Sequence, residues 1–183
     1  MSHTRWGLDP TVHTAAFVRS RSAFLFTSIL AASALFLQST AALSKRLSVH
    51  CKNLAHRVMV NRNRSPEIVL AFIVNIPWMS PGEHWADDET CAYLAMALTV
   101  AIDLSLNKLI IPSPSMPQDA YLESVPKSDC ISARKAMSLD GFEEVDPSSS
   151  WGQRLLRRRE RIWLSLFSLD RGLVIPYHNA SLS

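Results

Sequence analysis

The sequence has 5 glycines among 183 residues and lacks the short motifs that accompany common catalytic chemistries. Neither a Gly-x-Ser-x-Gly elbow, nor a glycine-rich phosphate loop, nor a His-Glu-x-x-His pair occurs. Turns that bind a phosphate usually need several glycines, and this chain has few of them. We therefore expect this chain not to be an enzyme.

Cysteine is also scarce. Cys51, Cys91 and Cys130 are widely separated, and the sequence contains no Cys-x-x-Cys pair. This spacing matches neither a zinc site nor an even set of disulfides. We expect free thiols in a reducing compartment, and no metal or other cofactor held by this chain.

Four potential metal ligands occur close together, at His84, Asp87, Asp88 and Glu89. Acidic residues at a helix start complement the helix dipole, and His84 follows a Pro-Gly turn. A structural role is therefore favoured over a metal site. A helical enzyme with His84 and Asp88 as ligands remains a third hypothesis, which requires stoichiometric bound metal.

The net charge is +3, without a dense basic tail. The densest basic run lies beside Trp151 and could meet phosphates, but it contains Glu160, so a solvated helix face is favoured over nucleic-acid contact. The run consists of Arg154, Arg157, Arg158, Arg159 and Arg161.

Residues 22–44 are uncharged and rich in Leu, Ile and Phe. The stretch is diluted by serine and threonine, which favours a buried core helix over a membrane-spanning one. The segment before Arg19 is long for the first region of a signal peptide. A small membrane-anchored or secreted helical protein that uses residues 22–44 remains the alternative.

The other patterns predict an all-α fold, an irregular helical bundle, with a long loop-rich connection from Pro112 to Ser150. Ser65 and Ser150 are the expected N-caps, while Pro77 and Gly172 are the expected ends of the helices that these caps begin. The predicted helices cover 43–58, 66–76, 87–106, 131–138 and 151–171.

The last of these helices carries the most specific pattern. A buried stripe is predicted from the three- and four-residue spacing of Leu155, Leu156, Arg159, Ile162, Trp163, Leu166, Phe167 and Asp170. The order Arg161, Trp163, an apolar run and Asp170-Arg171 resembles the signature of the fungal-specific transcription factor domain, the regulatory region of fungal zinc-cluster transcription factors. Arg159 adds a second basic residue one turn before Trp163.

Upstream segments are similar to the same family in the same order. Residues 65–72 followed by Trp78, and then residues 85–90, resemble its apolar helix, its tryptophan and its acidic helix start. Residues 93–107 resemble its segment ending Ala-x-Asp-Leu-Gly-Leu-His, with Ser105 and Asn107 in place of the usual Gly and His.

The resemblance implies a non-catalytic helical regulatory domain over residues 17–172, with a loop-rich insert at about 108–149, an N-terminal segment 1–16 and a tail 173–183. It implies a nuclear protein that modulates transcription by RNA polymerase II through protein partners or an effector. The six clustered cysteines of the family's DNA-reading module do not occur in this sequence, so zinc and DNA are expected only with that module. The helices that follow the signature in the family are missing too, which predicts a truncated part of a larger domain.

Two structural expectations follow for the signature residues Arg159, Arg161, Trp163, Phe167, Asp170 and Arg171. Trp163 and Phe167 are expected as core anchors, and Asp170 is expected to pair with an arginine from another helix or one turn away. Replacing Asp170 by Asn should then lower stability. Incomplete burial of apolar surface near the last helix predicts weak independent stability or self-association.

Overall fold

The computed structural model describes residues 7–79, 89–112, 114 and 125–179 of the chain. These residues form seven α-helices and two short strands, so the predicted all-α, irregular helical fold is confirmed. The elements are α1 (Ala15–Arg21), α2 (Ala23–Ala34), α3 (Ala41–Val60), α4 (Pro66–Asn75), α5 (Thr90–Asp103), β1 (Leu109–Ile111), β2 (Cys130–Ser132), α6 (Ala133–Leu139) and α7 (Ser150–Asn179).

The stretch 22–44 is not one helix, contrary to the sequence expectation. α2 ends at Ala34, and a turn with a short 3-10 segment leads into α3. The Thr40 hydroxyl shares its one proton between the carbonyls of Ala34 and Leu37, at 2.8 and 2.7 Å. Because this side chain gives a donor to carbonyls at the end of α2, it stabilises the reversal of the chain there.

The part of the chain that the structure describes contains no helix long and apolar enough to cross a bilayer.

The centre of the larger core is α4. As predicted, the Ser65 hydroxyl caps it by accepting a hydrogen bond from the Ile68 N–H at 3.3 Å, and the helix ends at Asn75, just before Pro77. Residues 66–74 are all buried, because α2, α5 and α7 pack around this helix. The predicted amphipathic helix over 43–58 is also observed, as part of α3, which buries one side that includes Cys51, Leu54 and Val58.

A smaller core is formed by Val12 with apolar residues of β1, α6 and the start of α7. There β1 and β2 form a parallel pair in which Leu109 is opposite Cys130 and Ile111 is opposite Ser132. This pair was not predicted, because each strand has three residues and the pairing spans a long stretch of chain. The predicted helix over 131–138 appears as α6, and its Met137 packs with apolar residues from β1 and α7.

The ends of α7 differ from the prediction. Ser149, not Ser150, supplies the cap, since its hydroxyl accepts a hydrogen bond from the Gly152 N–H at 3.0 Å. The helix also continues past Gly172 to Asn179. A Cβ at Gly172 would meet no atom within 4 Å, and glycine inside a helix costs only about 1 kcal/mol, so this residue does not force an end.

The end of α5 places a serine in the left-handed backbone region. The helix ends at Asp103, before the predicted Leu106, and Ser105 has φ 56°. The N–H groups of Ser105 and Leu106 donate to the carbonyls of Ile102 and Ala101, at 2.8 and 2.9 Å. This is a Schellman motif, in which glycine is the preferred residue at the position of Ser105.

Replacing Ser105 by Gly should raise the free energy of unfolding by about 1 kcal/mol, because a side chain in the left-handed region costs about that much. Chemical denaturation measures the change. Ser105→Ala keeps the Cβ and should give no gain. Equal stabilisation by both substitutions would contradict the explanation from the backbone.

Candidate functional site

Four charged side chains are buried together where α7 meets α4 and the end of α6. We call Glu67, Asp140, Arg158 and Arg159 the buried ion cluster; each of them is at most 4% exposed. Arg158 donates hydrogen bonds to Glu67 at 2.5 Å and to Asp140 at 2.9 Å, and Arg159 donates to the other carboxylate oxygen of Asp140. Two positive and two negative groups thus balance within one buried site.

Arg159 extends the cluster to the backbone of two further segments. Its guanidinium donates to the Leu104 carbonyl at 2.5 Å and to the Ala136 carbonyl at 3.1 Å. Since Leu104 caps α5 and Ala136 belongs to α6, this one side chain fixes both elements against α7. The carbonyls at a helix end need such donors when they are buried.

The expectation that the arginine run forms a solvated helix face is wrong for Arg158 and Arg159. Each lies one turn or less from Leu155 and Ile162, on the buried side of α7. The apolar spacing already placed Arg159 in the predicted stripe, so its burial was detectable, but its partners were not. Arg154 and Arg157 are exposed, as predicted, and Arg157 donates to the Pro114 carbonyl at 3.1 and 3.2 Å.

Burial and ion pairing shift the pKa of Asp140 in opposite directions. Burial raises the pKa of the Asp140 carboxyl, while the guanidinium groups of Arg158 and Arg159 lower it. The Phe142 ring covers the site, with the Arg158 guanidinium 5.4 Å and the Arg21 guanidinium 4.6 Å from its centroid. These cation–π contacts add modest stabilisation, and the contact of Arg158 contributes more because Arg158 is buried whereas Arg21 is exposed.

Residues 9–13 are held against the same region of α7. The Asp9 carboxylate accepts hydrogen bonds from the Thr11 hydroxyl at 2.8 Å and from Arg161 at 2.5 Å. The Asp9 N–H donates to Nδ1 of His13 at 2.9 Å, which requires that nitrogen to be unprotonated. Burial, with a further contribution from the charge of Arg158, lowers the pKa of His13 to about 4.

The remaining signature residues lie nearer the surface than the sequence indicated. Trp163 is partly buried against the core, but Phe167 is 47% exposed. The one ion pair found for Asp170 among the described residues is with its neighbour Arg171, at 4.0 Å. An exposed pair of this length contributes little stability, so the role assigned to Asp170 belongs to Arg158 and Arg159 instead.

An apolar groove runs along α7 beside the residues that connect α5 to β1. Its volume is 540 Å³. Leu106, Leu109, Trp163 and Leu164 contribute to its apolar walls. Lys108, Arg157, Glu160 and Arg161 also line it, so the groove suits a ligand or peptide with a mainly apolar body.

Metal chemistry has no visible site in the described part of the chain, where no three His, Cys, Asp or Glu side chains come together. His84, Asp87 and Asp88 lie outside the described residues. Glu89 forms an ion pair with Lys52 at 2.6 Å, and Cys51, Cys91 and Cys130 are free.

Comparison of the chain with protein-family models, curated proteins and solved structures finds no match.

Arg159→Met should lower the free energy of unfolding by about 3 kcal/mol or more, because it deprives Asp140 and the Leu104 carbonyl of a buried cation. Arg154→Met and Asp170→Asn are matched surface changes and should stay within about 0.5 kcal/mol. Denaturant titration compares the three. A loss of equal size in all of them would contradict the special role of the buried ion cluster.

Stability should fall as the pH drops from 6.5 towards 4. The folded-state pKa of His13, about 4, lies below its ordinary 6.5, so the unfolded chain binds the proton first. The contribution of neutral His13 to the free energy of unfolding is therefore complete above pH 6.5. It is lost as the pH falls from 6.5 towards 4, which lowers the free energy of unfolding by about 1 to 3 kcal/mol. In His13→Gln the same titration should show a shallower decline, and an unchanged slope would contradict this assignment.

Proposed function

We propose that this chain is a regulatory, non-catalytic domain of a fungal transcription factor, which modulates transcription by RNA polymerase II in the nucleus. One observation carries the proposal. Three of the segments that resemble the family, 65–72, 93–107 and 161–171, are distant in sequence but belong to α4, α5 and α7, which pack together; residues 85–88 of the resemblance lie outside the described residues.

Hydrogen bonds from α7 join the helices that contain these segments. Arg158 reaches Glu67 in the first segment, and Arg159 reaches Leu104 in the second. Ile162 and Leu166, within the third, are fully buried in the core that the helices share. Such an arrangement supports a packing role for the signature, as expected for a motif that defines a domain without performing chemistry.

The groove supplies a place where regulation could act. An occupant would contact both α7, through Trp163 and Leu164, and the residues after α5, through Leu106 and Leu109. Arg159 holds the end of α5 to α7. An occupant of the groove would therefore contact the same two elements that this arginine joins. Binding of an effector or a partner protein there would favour one arrangement of the two elements.

A reporter experiment tests the proposal. The full chain is fused to an unrelated DNA-binding domain in a fungal cell, and transcription from a reporter carrying the matching DNA site is measured. We expect a several-fold change in transcription relative to the DNA-binding domain alone. Leu164→Glu, which puts a charge on the groove wall, should abolish the change.

Val60→Glu is the matched control, since Val60 is exposed to a similar degree, 65% against 62%, and lies at the end of α3. This variant should retain the effect. A folded fusion without any effect on the reporter, or equal losses in the two variants, would overturn the proposal. Circular dichroism of the purified chains establishes that each variant is folded.

A further inference from the structure

The turn between α2 and α3 holds large apolar side chains in water. Leu35, Phe36 and Leu37 are 50%, 66% and 59% exposed, and Trp78, from the 3-10 segment that follows α4, is 43% exposed. The rings of Phe36 and Trp78 meet edge to face, with their centroids 5.3 Å apart. We call these four residues the apolar tip.

The backbone of this turn is internally bonded. The N–H groups of Phe36 and Leu37 donate to the carbonyls of Ser33 and Ala34, at 3.2 and 3.4 Å, and the Thr40 N–H donates to Leu37 at 2.9 Å. The Thr40 hydroxyl shares its proton between two carbonyls of the same turn. Because these peptide groups already have partners, the cost of moving the tip out of water is lowered.

Charge is distributed very unevenly along the chain. Residues 10–66 contain no Asp or Glu but eight Lys and Arg, whereas the other 11 Lys and Arg share the rest of the chain with all 16 Asp and Glu. The two helices that meet at the tip, α2 and α3, lie inside this basic stretch. Neither of these two helices therefore carries an acidic side chain that would repel an anionic surface.

Two of the basic residues lie close to the turn. Lys45 and Arg46 are exposed in the second turn of α3, which begins at Ala41, and neither forms an ion pair within the described residues. Glu89, the residue that precedes α5, is already paired with Lys52 at 2.6 Å. Lys45 and Arg46 are therefore available to an external anionic surface.

We propose that the apolar tip inserts into the interfacial layer of an anionic membrane while Lys45 and Arg46 contact the lipid headgroups. Nucleic acid offers phosphates but no apolar layer, and the small cleft beside Trp78, 160 Å³, does not accommodate the face of a partner helix. An anionic bilayer provides both the apolar layer and the charge, and aromatic side chains favour that interface. The contact is peripheral and is independent of the proposed regulatory function.

Vesicle sedimentation of the full chain tests this inference. The chain should pellet with phosphatidylcholine vesicles that contain about 30% phosphatidylserine, but not with pure phosphatidylcholine, and binding should weaken with added salt. Phe36→Ser with Leu37→Ser should lower the partition coefficient by at least about tenfold. Lys45→Glu with Arg46→Glu should do the same through charge.

Leu164→Ser with Phe167→Ser is the matched control, because these residues are 62% and 47% exposed on α7, away from the turn. This variant should bind vesicles like the parent chain. Absence of binding to anionic vesicles, equal losses in the control, or undiminished binding by a folded tip variant would each overturn the inference. The inference would also be overturned by a tip variant that binds vesicles normally and shows only reduced self-association, or only reduced binding to an acidic, apolar peptide.

Discussion

The fold depends on keeping two arginines ionised in its interior. Removing a guanidinium from water costs several kcal/mol, and Arg158 and Arg159 recover that cost only when Glu67, Asp140 and the Leu104 carbonyl are all in place. The partners come from α4, from the residue after α6 and from the end of α5. Any slip of α7 by one turn would separate these charges, so the cluster fixes the register of α7 against three other elements.

This constraint explains why Arg159 lies within the apolar stripe of the arginine-rich helix. A helix that buries charge must place each basic residue within hydrogen-bonding distance of an acidic one, whereas an apolar helix can tolerate small shifts. The residues after Leu166 are under no such requirement. Phe167 is accordingly exposed and Asp170 is only partly buried, although they continue the same spacing.

The proposed activities occupy surfaces that surround this fixed interior. The groove lies between α7 and the residues after α5, and the apolar tip lies where α2 turns into α3. Neither surface uses a residue of the buried ion cluster. Substitutions at either surface can therefore separate binding from folding, which substitutions at Arg159 cannot.

Local patterns in the sequence determined the helices and several of their ends. Ser65 and Pro66 begin α4 because a hydroxyl cap and a fixed proline φ act within one turn, and Pro77 ends it for an equally local reason. Apolar spacing also identified Ile162 and Leu166 as core residues. The tertiary structure alone decided that Arg158 is buried, that β1 pairs with β2, and that Phe36 stays in water. These outcomes depend on which distant group lies opposite each residue: Glu67 is 91 positions from Arg158, and no local pattern encodes that pairing.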